Sequence, residues 1–481
     1  MRMRRGIGFI ALLGAFAAPA SVGKVYVRWT QQSVPAPKTL GVNDLVIPWN
    51  EEANSLLEVA KKQGYRVYFE TTLEQALAAA ESGAKEGAAG IILKSSASAT
   101  AQLEEKERSL RSVYPRLKIL VLADGGKQPK MRGWMVFKKN GILQVSSPTS
   151  QPWLDSNLAM LRYEREFQSG QTPLYTFSWD LSDGLMKEQG PSPADYALAI
   201  AEAGAFRADL ILELHERQEK GLASGDQETL SDWEQVKRTI EFCERENHGA
   251  EEARVGVLTN NYELSYEALN LMARHNIPYR VLQPGEVKAR DLKGFDVVIA
   301  FVALGKELTE DIRGFAEQGG VAVLVNLPGA YPWVSSAPTK TSAHSTTYSV
   351  GKGRVIELGE AVTDPETFAQ DVRRLMVREQ IPVSLWNSLT TLVTAYAGEK
   401  AGETIVELVN YDEETTQVQV RVKGTYGSAR YESPERGCCE RLKVSQENGF
   451  TEFVVPDVMI GGRVHLEPAM SQPKEETKPK H

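Results

Sequence analysis

Short apolar runs of β-forming residues alternate with amphipathic, helix-like segments through the first half of the chain. Most of the runs are followed by a segment whose apolar residues recur three or four positions apart, the spacing of a helix face. The runs are Lys24–Trp29, Leu45–Trp49, Tyr65–Glu70, Gly90–Lys94, Lys118–Asp124, Ile142–Ser146, Pro173–Asp180 and Ala208–Leu214. Eight strands alternating with helices over about 225 residues predict a (β/α)8 barrel spanning residues 21–248.

The alternative to a barrel is an open, doubly wound parallel sheet. The nucleotide-binding version of that sheet is disfavoured because no Gly-x-Gly-x-x-Gly turn follows the first run. Two connections fit a barrel less well than the rest. Thr30–Asp44 is rich in proline and is predicted to be a loop, and Gly125–Asn140 has the composition of an extra hairpin.

Reading each run with a period of two separates an apolar set of positions from a mixed set, and in a barrel alternate residues face the interior. The apolar set is predicted to pack against the helices, and it consists of Val25, Val27, Val67, Phe69, Ile119, Val121, Tyr175 and Phe177. The polar side chains of the mixed set fall mostly near the carboxyl ends of the strands, where active sites of this fold lie. The mixed set includes Tyr26, Arg28, Tyr68, Glu70, Lys94, Asp124, Gln144, Ser146, Thr176, Ser178, Asp180 and Glu213.

Four acids meet two bases at this predicted barrel mouth. The candidate catalytic residues are Asp180, Glu213, Glu70 and Asp124, and Asp180 and Glu213 are favoured because their strands are neighbours. Buried charges must be paired or serve a function, and Arg28 and Lys94 neutralise at most two of the four acids. The acidic excess therefore predicts a functional pocket, and a purely structural ion-pair network is the alternative.

Tryptophans accompany these acids at Trp29, Trp49, Trp153 and Trp179. Aromatic rings offer flat apolar faces on which a sugar ring can stack, so they suggest a carbohydrate site. The alternation along the strands also allows Trp29, Trp49 and Trp179 to be core residues, which leaves Trp153 as the better ligand candidate. The predicted substrate-binding set is Arg28, Tyr68, Lys94, Gln144, Trp153 and Trp179.

Residues 252–380 repeat the strand–helix alternation and predict a parallel α/β layer of the flavodoxin or class I amidotransferase type. An amidotransferase requires a nucleophilic cysteine on a tight strand–helix turn, and no cysteine lies between Arg254 and Glu379. This unit is therefore predicted to be structural or oligomerising. Residues 383–468 contain short alternating strands separated by turn residues and predict a small β-sandwich. Residues 469–481 are rich in Lys, Glu and Pro and are predicted to be disordered.

Composition and the first twenty residues indicate which partners and which location to expect. The 481 residues carry 55 Lys and Arg against 63 Asp and Glu, a net charge of −8, which gives no footprint for nucleic acid. Residues 1–20 have the layout of a secretory signal peptide, with three arginines, an apolar stretch Ile7–Ala18 and a small-residue site Ala18-Pro19-Ala20. We therefore expect an exported protein, periplasmic or extracellular, with no membrane span after cleavage. No Cys-x-x-Cys or His-x-x-x-His spacing supports a metal, and no cofactor is expected.

The second unit also contains short sequence motifs that are similar to those of a known family. It resembles the trimerisation domain of β-galactosidases in Asn276-Ile277-Pro278-Tyr279, Leu292-Lys293-Gly294-Phe295-Asp296 and Phe315-Ala316-Glu317-Gln318-Gly319-Gly320. Barrel, amidotransferase-like layer and β-sandwich follow one another in those enzymes, and this order covers nearly the whole mature chain here. The resemblance implies a glycoside hydrolase acting on a carbohydrate, with a homo-oligomer formed through the second unit.

The catalytic positions of that family are not matched. Those enzymes carry a glutamate, preceded by asparagine, at the end of the fourth strand and another glutamate at the end of the seventh. Here the fourth strand ends in Leu93-Lys94-Ser95-Ser96, and the seventh ends in Ser178-Trp179-Asp180. Two hypotheses remain open: a glycosidase that uses the carboxylates of the barrel mouth, or a catalytically inactive carbohydrate-binding or assembly protein of the same architecture.

Overall fold

The structure is a computed structural model that describes residues 23–94, 100–122, 138–139, 142–143, 156–167, 172–179, 190–244, 249–335, 337–412 and 414–469. Its first unit contains nine strands within these residues. They are β1 (Val25–Arg28), β2 (Asp44–Pro48), β3 (Arg66–Thr72), β4 (Gly90–Lys94), β5 (Lys118–Val121), β6 (Lys138–Lys139), β7 (Ile142–Leu143), β8 (Leu174–Phe177) and β9 (Asp209–Glu213).

Seven of these strands form one curled parallel sheet in the order β5-β4-β3-β2-β1-β9-β8. A parallel bridge between Leu122 and Leu174 joins its two outer strands, so the sheet closes on itself. The barrel-type fold is thus confirmed. The predicted strand Ile142–Ser146 contributes only β7 to the described residues, and β7 pairs antiparallel with β6 instead of joining the barrel sheet. Of the extra hairpin expected in Gly125–Asn140, only Lys138–Lys139 lies within the described residues, so that expectation stays a prediction.

Eight helices of this unit lie within the described residues. They are α1 (Pro37–Leu40), α2 (Ala53–Lys62), α3 (Ala76–Glu86), α4 (Thr100–Val113), α5 (Leu158–Phe167), α6 (Pro193–Ala205), α7 (Glu216–Ser224) and α8 (Gln227–Cys243). Local sequence explains where some of them begin. Ser192 and Asp195 form a reciprocal capping box before α6, with Pro193 in its first turn, and the Asp226 carboxylate accepts from the Thr229 amide at the start of α8.

For β1, β3 and β8 the predicted separation into two sets of positions is confirmed. Val25, Val27, Phe69 and Tyr175 are buried in the cluster that joins the strands to the helices. The opposite positions fill the barrel interior, which is a second cluster of Tyr26, Val46, Tyr68, Ile92, Leu120, Leu122, Leu174 and Ile211. The interior is therefore a packed apolar core, and its charged residues lie at its two ends.

The amino-terminal end of the barrel contains Asp44, Arg66 and Asp209. Arg66 donates to Asp44 at 2.5 Å, and the Lys24 amide donates to the Asp209 carboxylate at 2.8 Å. Burial raises the pKa of Asp209 from 3.8 to about 6, although the Lys24 amide hydrogen bond opposes the shift. Asp209 is thus an acid whose ionisation works against folding.

Replacing Asp209 by asparagine should therefore remove a pH-dependent loss of stability. Between about pH 4 and pH 6 the folded chain keeps a proton that the unfolded chain releases, so stability falls as the pH rises through that window. Asp209→Asn keeps an acceptor for Lys24 and should gain up to about 3 kcal/mol over the wild type on going from pH 4 to pH 7. Urea unfolding across this range measures the difference, with the exposed Asp232→Asn as control. Parallel pH profiles for wild type and Asp209→Asn would contradict the assignment.

The second unit is an α/β layer. Its elements are β10 (Val255–Leu258), α9 (Tyr262–Arg274), β11 (Tyr279–Leu282), β12 (Val297–Ala300), α10 (Lys306–Glu317), β13 (Val321–Val325), β14 (Lys340–Thr341), β15 (Ser345–Val350), β16 (Gly353–Leu358) and α11 (Pro365–Leu375). The sheet order is β11-β10-β12-β13-β16-β15-β14. The strands β11, β10, β12, β13 and β16 are parallel. Numbered among themselves along the chain, they follow the flavodoxin-like order 2-1-3-4-5, and β15 and β14 extend the sheet antiparallel.

The third unit is a β-sandwich of two antiparallel sheets, as predicted. One sheet has the order β17-β20-β24-β23 and the other β18-β19-β25-β21-β22. The strands are β17 (Val383–Trp386), β18 (Thr391–Ala397), β19 (Thr404–Asn410), β20 (Thr416–Lys423), β21 (Tyr426–Ser433), β22 (Gly437–Leu442), β23 (Val444–Glu447), β24 (Phe450–Val458) and β25 (Gly461–Pro468). The sequence pattern predicts β19, β20, β21, β24 and β25 and misses the other four.

A buried carboxylate joins the first and third units. Glu202 of α6 accepts hydrogen bonds from the Asn157 side chain at 2.7 Å, from the Tyr175 hydroxyl at 3.2 Å and from the Tyr411 hydroxyl, which belongs to the sandwich. Burial raises the pKa of Glu202 even though these donors favour its charged form. Nearby, the Tyr396 hydroxyl donates to the Ala205 carbonyl at 2.7 Å. Barrel and sandwich therefore share polar contacts as well as apolar area.

Two expectations concern the ends of the chain, and the three cysteines lie in the first and third units. The predicted signal peptide, residues 1–20, lies outside the described residues, as does the tail beyond residue 469. Across the described ranges, no helix has the length and apolar character needed to cross a bilayer. Cys243 is buried, and burial raises its thiol pKa to about 12. Cys438 and Cys439 are joined by a disulfide.

Candidate active site at the barrel mouth

A cavity of about 650 Å³ opens at the carboxyl ends of β1, β8 and β9. This is the end of the barrel at which the sequence predicts a functional pocket. Its lining includes Arg28, Ser178, Trp179, Glu213, His215 and Glu219. The volume lies within the ~300–1,000 Å³ typical of small-ligand sites. Three predicted site residues, Arg28, Trp179 and Glu213, are therefore brought together around one space.

Arg28 is the centre of the charged network. One terminal guanidinium nitrogen donates to Glu213 Oε2 at 2.5 Å, and the other donates to Glu70 Oε1 at 2.5 Å. Since both nitrogens belong to one planar guanidinium, the two contacted oxygens lie within about 7 Å of each other. The sequence prediction that Glu70 and Glu213 meet at the mouth is consistent with this geometry. The guanidinium nevertheless stands between them, so a substrate bond cannot lie between this pair while Arg28 keeps its position.

The two carboxylates differ in access to the cavity. The Glu213 side chain is 46% exposed, whereas that of Glu70 is only 4% exposed. Glu70 also has a second cation nearby, because Lys94 Nζ lies 3.5 Å from the same Glu70 oxygen. Among the predicted catalytic residues in the described ranges, Glu213 is thus the one that can reach a ligand, and Glu70 serves as the counter-ion of Arg28 and Lys94.

Lys94 ends β4, the fourth strand, at the place where the β-galactosidases resembled by this chain carry a glutamate. Its side chain is 39% exposed, so its ammonium group is accessible as well as paired with Glu70. Together Arg28, Lys94, Glu70 and Glu213 are two cations and two anions. For these four residues the charges balance, as the structural ion-pair alternative requires.

The remaining predicted site residues fall in different places. Trp179 lines the cavity and lies 6.5 Å from Phe177, ring centre to ring centre. Tyr68 is buried in the barrel interior, its ring 5.3 Å from that of Tyr26, one layer below the mouth. Trp29 is fully buried, so this tryptophan is a core residue, which was one of the two roles that the sequence allowed. Asp124, Gln144, Trp153 and Asp180 lie outside the described residues, so their roles stay predictions.

Two of the cavity residues that the sequence analysis missed are Glu219 and His215. Glu219 accepts from the Thr30 amide at 2.5 Å and from the Thr30 hydroxyl at 2.8 Å, and thereby fixes the loop after β1 against α7. His215 caps the amino terminus of α7 through its side chain. His215 lies in the loop directly after β9, so the rule that active-site residues occupy the loops after barrel strands could have identified it, whereas Glu219 lies within α7.

One group in the described residues has the spacing of metal ligands, namely Glu432, Cys438 and Cys439 in the sandwich. The two sulfurs are joined in a disulfide, so neither is available as the thiolate that a metal binds. The expectation that the protein carries no metal at the barrel mouth stays a prediction.

Comparison with known proteins finds likeness in structure alone. No protein-family model matches the sequence, and no curated protein sequence matches it. An α-L-fucosidase isoenzyme from Paenibacillus thiaminolyticus has a similar structure, with a TM-score of 0.57 and 12% identity over 93% of this chain and 100% of that one. A β-galactosidase from Bacillus circulans sp. alkalophilus gives a TM-score of 0.54 and 10% identity over 93% and 99%.

These likenesses extend over nearly the full length of both partners, so they include all three units and not the barrel alone. At identities of 10% and 12% they define the fold, and the order of barrel, α/β layer and sandwich is that of a β-galactosidase-type glycoside hydrolase. The resemblance inferred from the sequence is thereby confirmed at the level of architecture. The chemistry at the barrel mouth has to be argued from this chain's own residues.

Proposed function

We propose that the protein is an exported glycoside hydrolase that cleaves a carbohydrate in the cavity at the barrel mouth. The observation that carries the proposal is the half-exposed Glu213 carboxylate, which shares this cavity with the Trp179 ring. A carboxylate and an aromatic face are the two elements that a glycosidase needs for bond cleavage and for holding the sugar. The solved structures of similar fold named above are a fucosidase and a galactosidase, which supports the same class of reaction.

Hydrolysis of a glycosidic bond needs two carboxyl groups, one on each side of the bond. We assign them to Glu213 and Asp180, because Asp180 directly follows Trp179 in the sequence. Arg28 contacts only Oε2 of Glu213, so within the described residues Oε1 remains available to a ligand. One carboxyl donates a proton to the departing oxygen, and the other either attacks the sugar carbon or activates water. A separation near 5–5.5 Å gives retention, and about 6.5–9.5 Å gives inversion.

A second candidate function is carbohydrate binding without cleavage. It is favoured by Arg28, which occupies the space between Glu70 and Glu213, and by Lys94 in place of an acid at the end of β4. A mouth in which each described acid of the central network is neutralised holds a polar ligand without supplying a general acid. The two candidates share the same ligand class and differ in whether a bond is broken.

Export and oligomerisation are part of the proposal on sequence grounds. The arginines before the apolar stretch Ile7–Ala18 and the small residues Ala18-Pro19-Ala20 support cleavage by a signal peptidase and a periplasmic or extracellular location. The α/β layer, which has the sheet order of a flavodoxin-like domain, is the surface through which copies of the chain would associate if it acts as the amidotransferase-like layer of β-galactosidases does.

The decisive experiment is a screen of the protein beginning at Ser21 against aryl glycosides and polysaccharides, with hydrolysis and binding measured on the same panel. Turnover of any glycoside supports the enzyme. Binding that is lost in Trp179→Ala, without turnover, supports the second candidate and refutes hydrolysis. If no glycoside is cleaved and no carbohydrate binds, both functions fall.

A further inference from the structure

A second cavity, of about 480 Å³, lies away from the barrel, between the α/β layer and the β-sandwich. Its walls come from the end of α9, the end of α11, and β17 with the turn that follows it. The residues that matter for recognition are Arg274, His275, Arg373, Trp386, Asn387 and Ser388. No acidic residue is among the described residues that line it. The volume again falls within the ~300–1,000 Å³ range of small-ligand sites.

The lining of this cavity is cationic. Arg373, in the last turn of α11, is exposed and makes no ion pair with a described residue. The buried Glu366 lies outside the lining, 3.8 Å from Arg274 and 2.7 Å from the ring of His275. Burial lowers the pKa of His275, so at neutral pH this side chain is an uncharged hydrogen-bonding group. Two arginines against one glutamate leave a net positive charge.

An aromatic platform stands on the rim. Trp386 ends β17, an edge strand of its sheet, and is 52% exposed. The flat face of this exposed ring suits the apolar face of a sugar ring. The Asn387 amide keeps one hydrogen beyond its contact with the Gln417 carbonyl, and the Ser388 hydroxyl, which donates to Thr391 at 2.7 Å, can still accept from a sugar hydroxyl.

The walls of the cavity are rigid. Asn387, with φ near 59°, donates to the Gln417 carbonyl at 3.1 Å and accepts from the Gln419 amide at 3.0 Å, which fixes the turn after Trp386. On the opposite wall Asn276 donates to the Thr391 carbonyl at 3.1 Å and accepts from the Val393 amide at 2.8 Å. Asn276 thus joins the α/β layer to the sandwich, and Asn387 holds the turn after β17 against β20 within the sandwich, so little ordering is needed when a ligand binds.

From these observations we infer that the cavity binds an acidic saccharide, with Trp386 stacking on a sugar ring and the exposed Arg373 holding its carboxylate. A planar guanidinium matches a carboxylate with two parallel hydrogen bonds, which neutral sugars cannot supply. The ligand class is a uronic-acid oligosaccharide. This site is separate from the barrel mouth and does not depend on whether Glu213 is catalytic.

The test is a calorimetric titration of the protein beginning at Ser21 with trimers of galacturonate and of glucuronate, with neutral galactotriose, and with inorganic phosphate. The expected result is binding of a uronate trimer that is weakened roughly tenfold or more in Arg373→Gln and in Trp386→Ala. Arg374→Gln is the matched control, because Arg374 is the next residue, pairs with Asp371 and does not line the cavity. Arg374→Gln should bind as the wild type does.

Four outcomes would overturn the inference. The first is that neither uronate trimer binds. The second is equal affinity for galactotriose, which would remove the role of Arg373. The third is that phosphate binds as tightly as the uronates and Trp386→Ala changes nothing, which would make the cavity a simple anion site. The fourth is uronate binding unaffected by both variants, which would place the ligand elsewhere, including at the barrel mouth.

Discussion

Replacing Glu213 by glutamine is expected to lower the rate of glycoside hydrolysis by about 10²–10⁴-fold, the usual contribution of an acid–base or nucleophilic carboxyl group. Glutamine keeps the shape of the side chain and can still accept from Arg28, and Arg28 keeps Glu70 as its charged partner. The fold should therefore survive, which circular dichroism and thermal unfolding can verify. Initial rates on the best aryl glycoside of the panel provide the measurement.

The matched control is Glu267→Gln, an exposed glutamate on α9 in the second unit, which should keep full activity. Asp180→Asn is the companion variant and should show a loss of similar size, because both carboxyl groups are needed for the same bond. Full turnover in both Glu213→Gln and Asp180→Asn would refute the assignment of this pair while leaving the fold untouched.

Replacing Arg28 by methionine is expected to destabilise the protein by about 3–5 kcal/mol, the range for removing one partner of a buried ion pair. Glu70 has only 4% of its side chain exposed and would lose its closest cation. Lys94 lies 3.5 Å from Glu70 and compensates in part, so the lower end of the range is expected. Urea unfolding measures the effect, and the exposed Arg238→Met serves as control.

The double variant Arg28→Met with Glu70→Gln separates charge from packing. If the loss arises from an uncompensated buried carboxylate, removing that charge should restore most of the stability. An Arg28→Met protein as stable as the wild type would show that Lys94 alone neutralises Glu70. Equal instability of the single and double variants would show that Arg28 acts through its packing.

The sequence predicted the architecture well because alternation is a local signal. The positions of Val27, Phe69 and Tyr175 on the helix-facing side follow from their place in each strand, and the burial of these residues confirms it. The likeness to β-galactosidase-type enzymes was recoverable from the order of three units. Strands such as Thr391–Ala397 and Gly437–Leu442 were missed because the first carries little alternation and the second is mostly polar.

The site was predicted only in part, for a physical reason. The alternation of side chains between the two faces of a strand tells which of them point toward the barrel interior. It placed Arg28, Glu70, Lys94 and Glu213 on the same face, and the structure shows them as neighbours. It cannot tell which carboxylate is covered, because the exposures of Glu70 and Glu213 depend on the rotamer of Arg28. Nor does it reach Glu219, whose position depends on a turn between β9 and α7 that no periodicity encodes.

The hydrogen bond from Tyr411 to Glu202 constrains how the third unit can be exchanged during evolution. A carboxylate on the back of a barrel helix needs donors, and one of them comes from a residue more than two hundred positions further along the chain. A gene fragment that encoded the barrel alone would leave Glu202 without that donor. Recombination that exchanged the sandwich would have to preserve a tyrosine at this point. The barrel and the sandwich are thus expected to be inherited together.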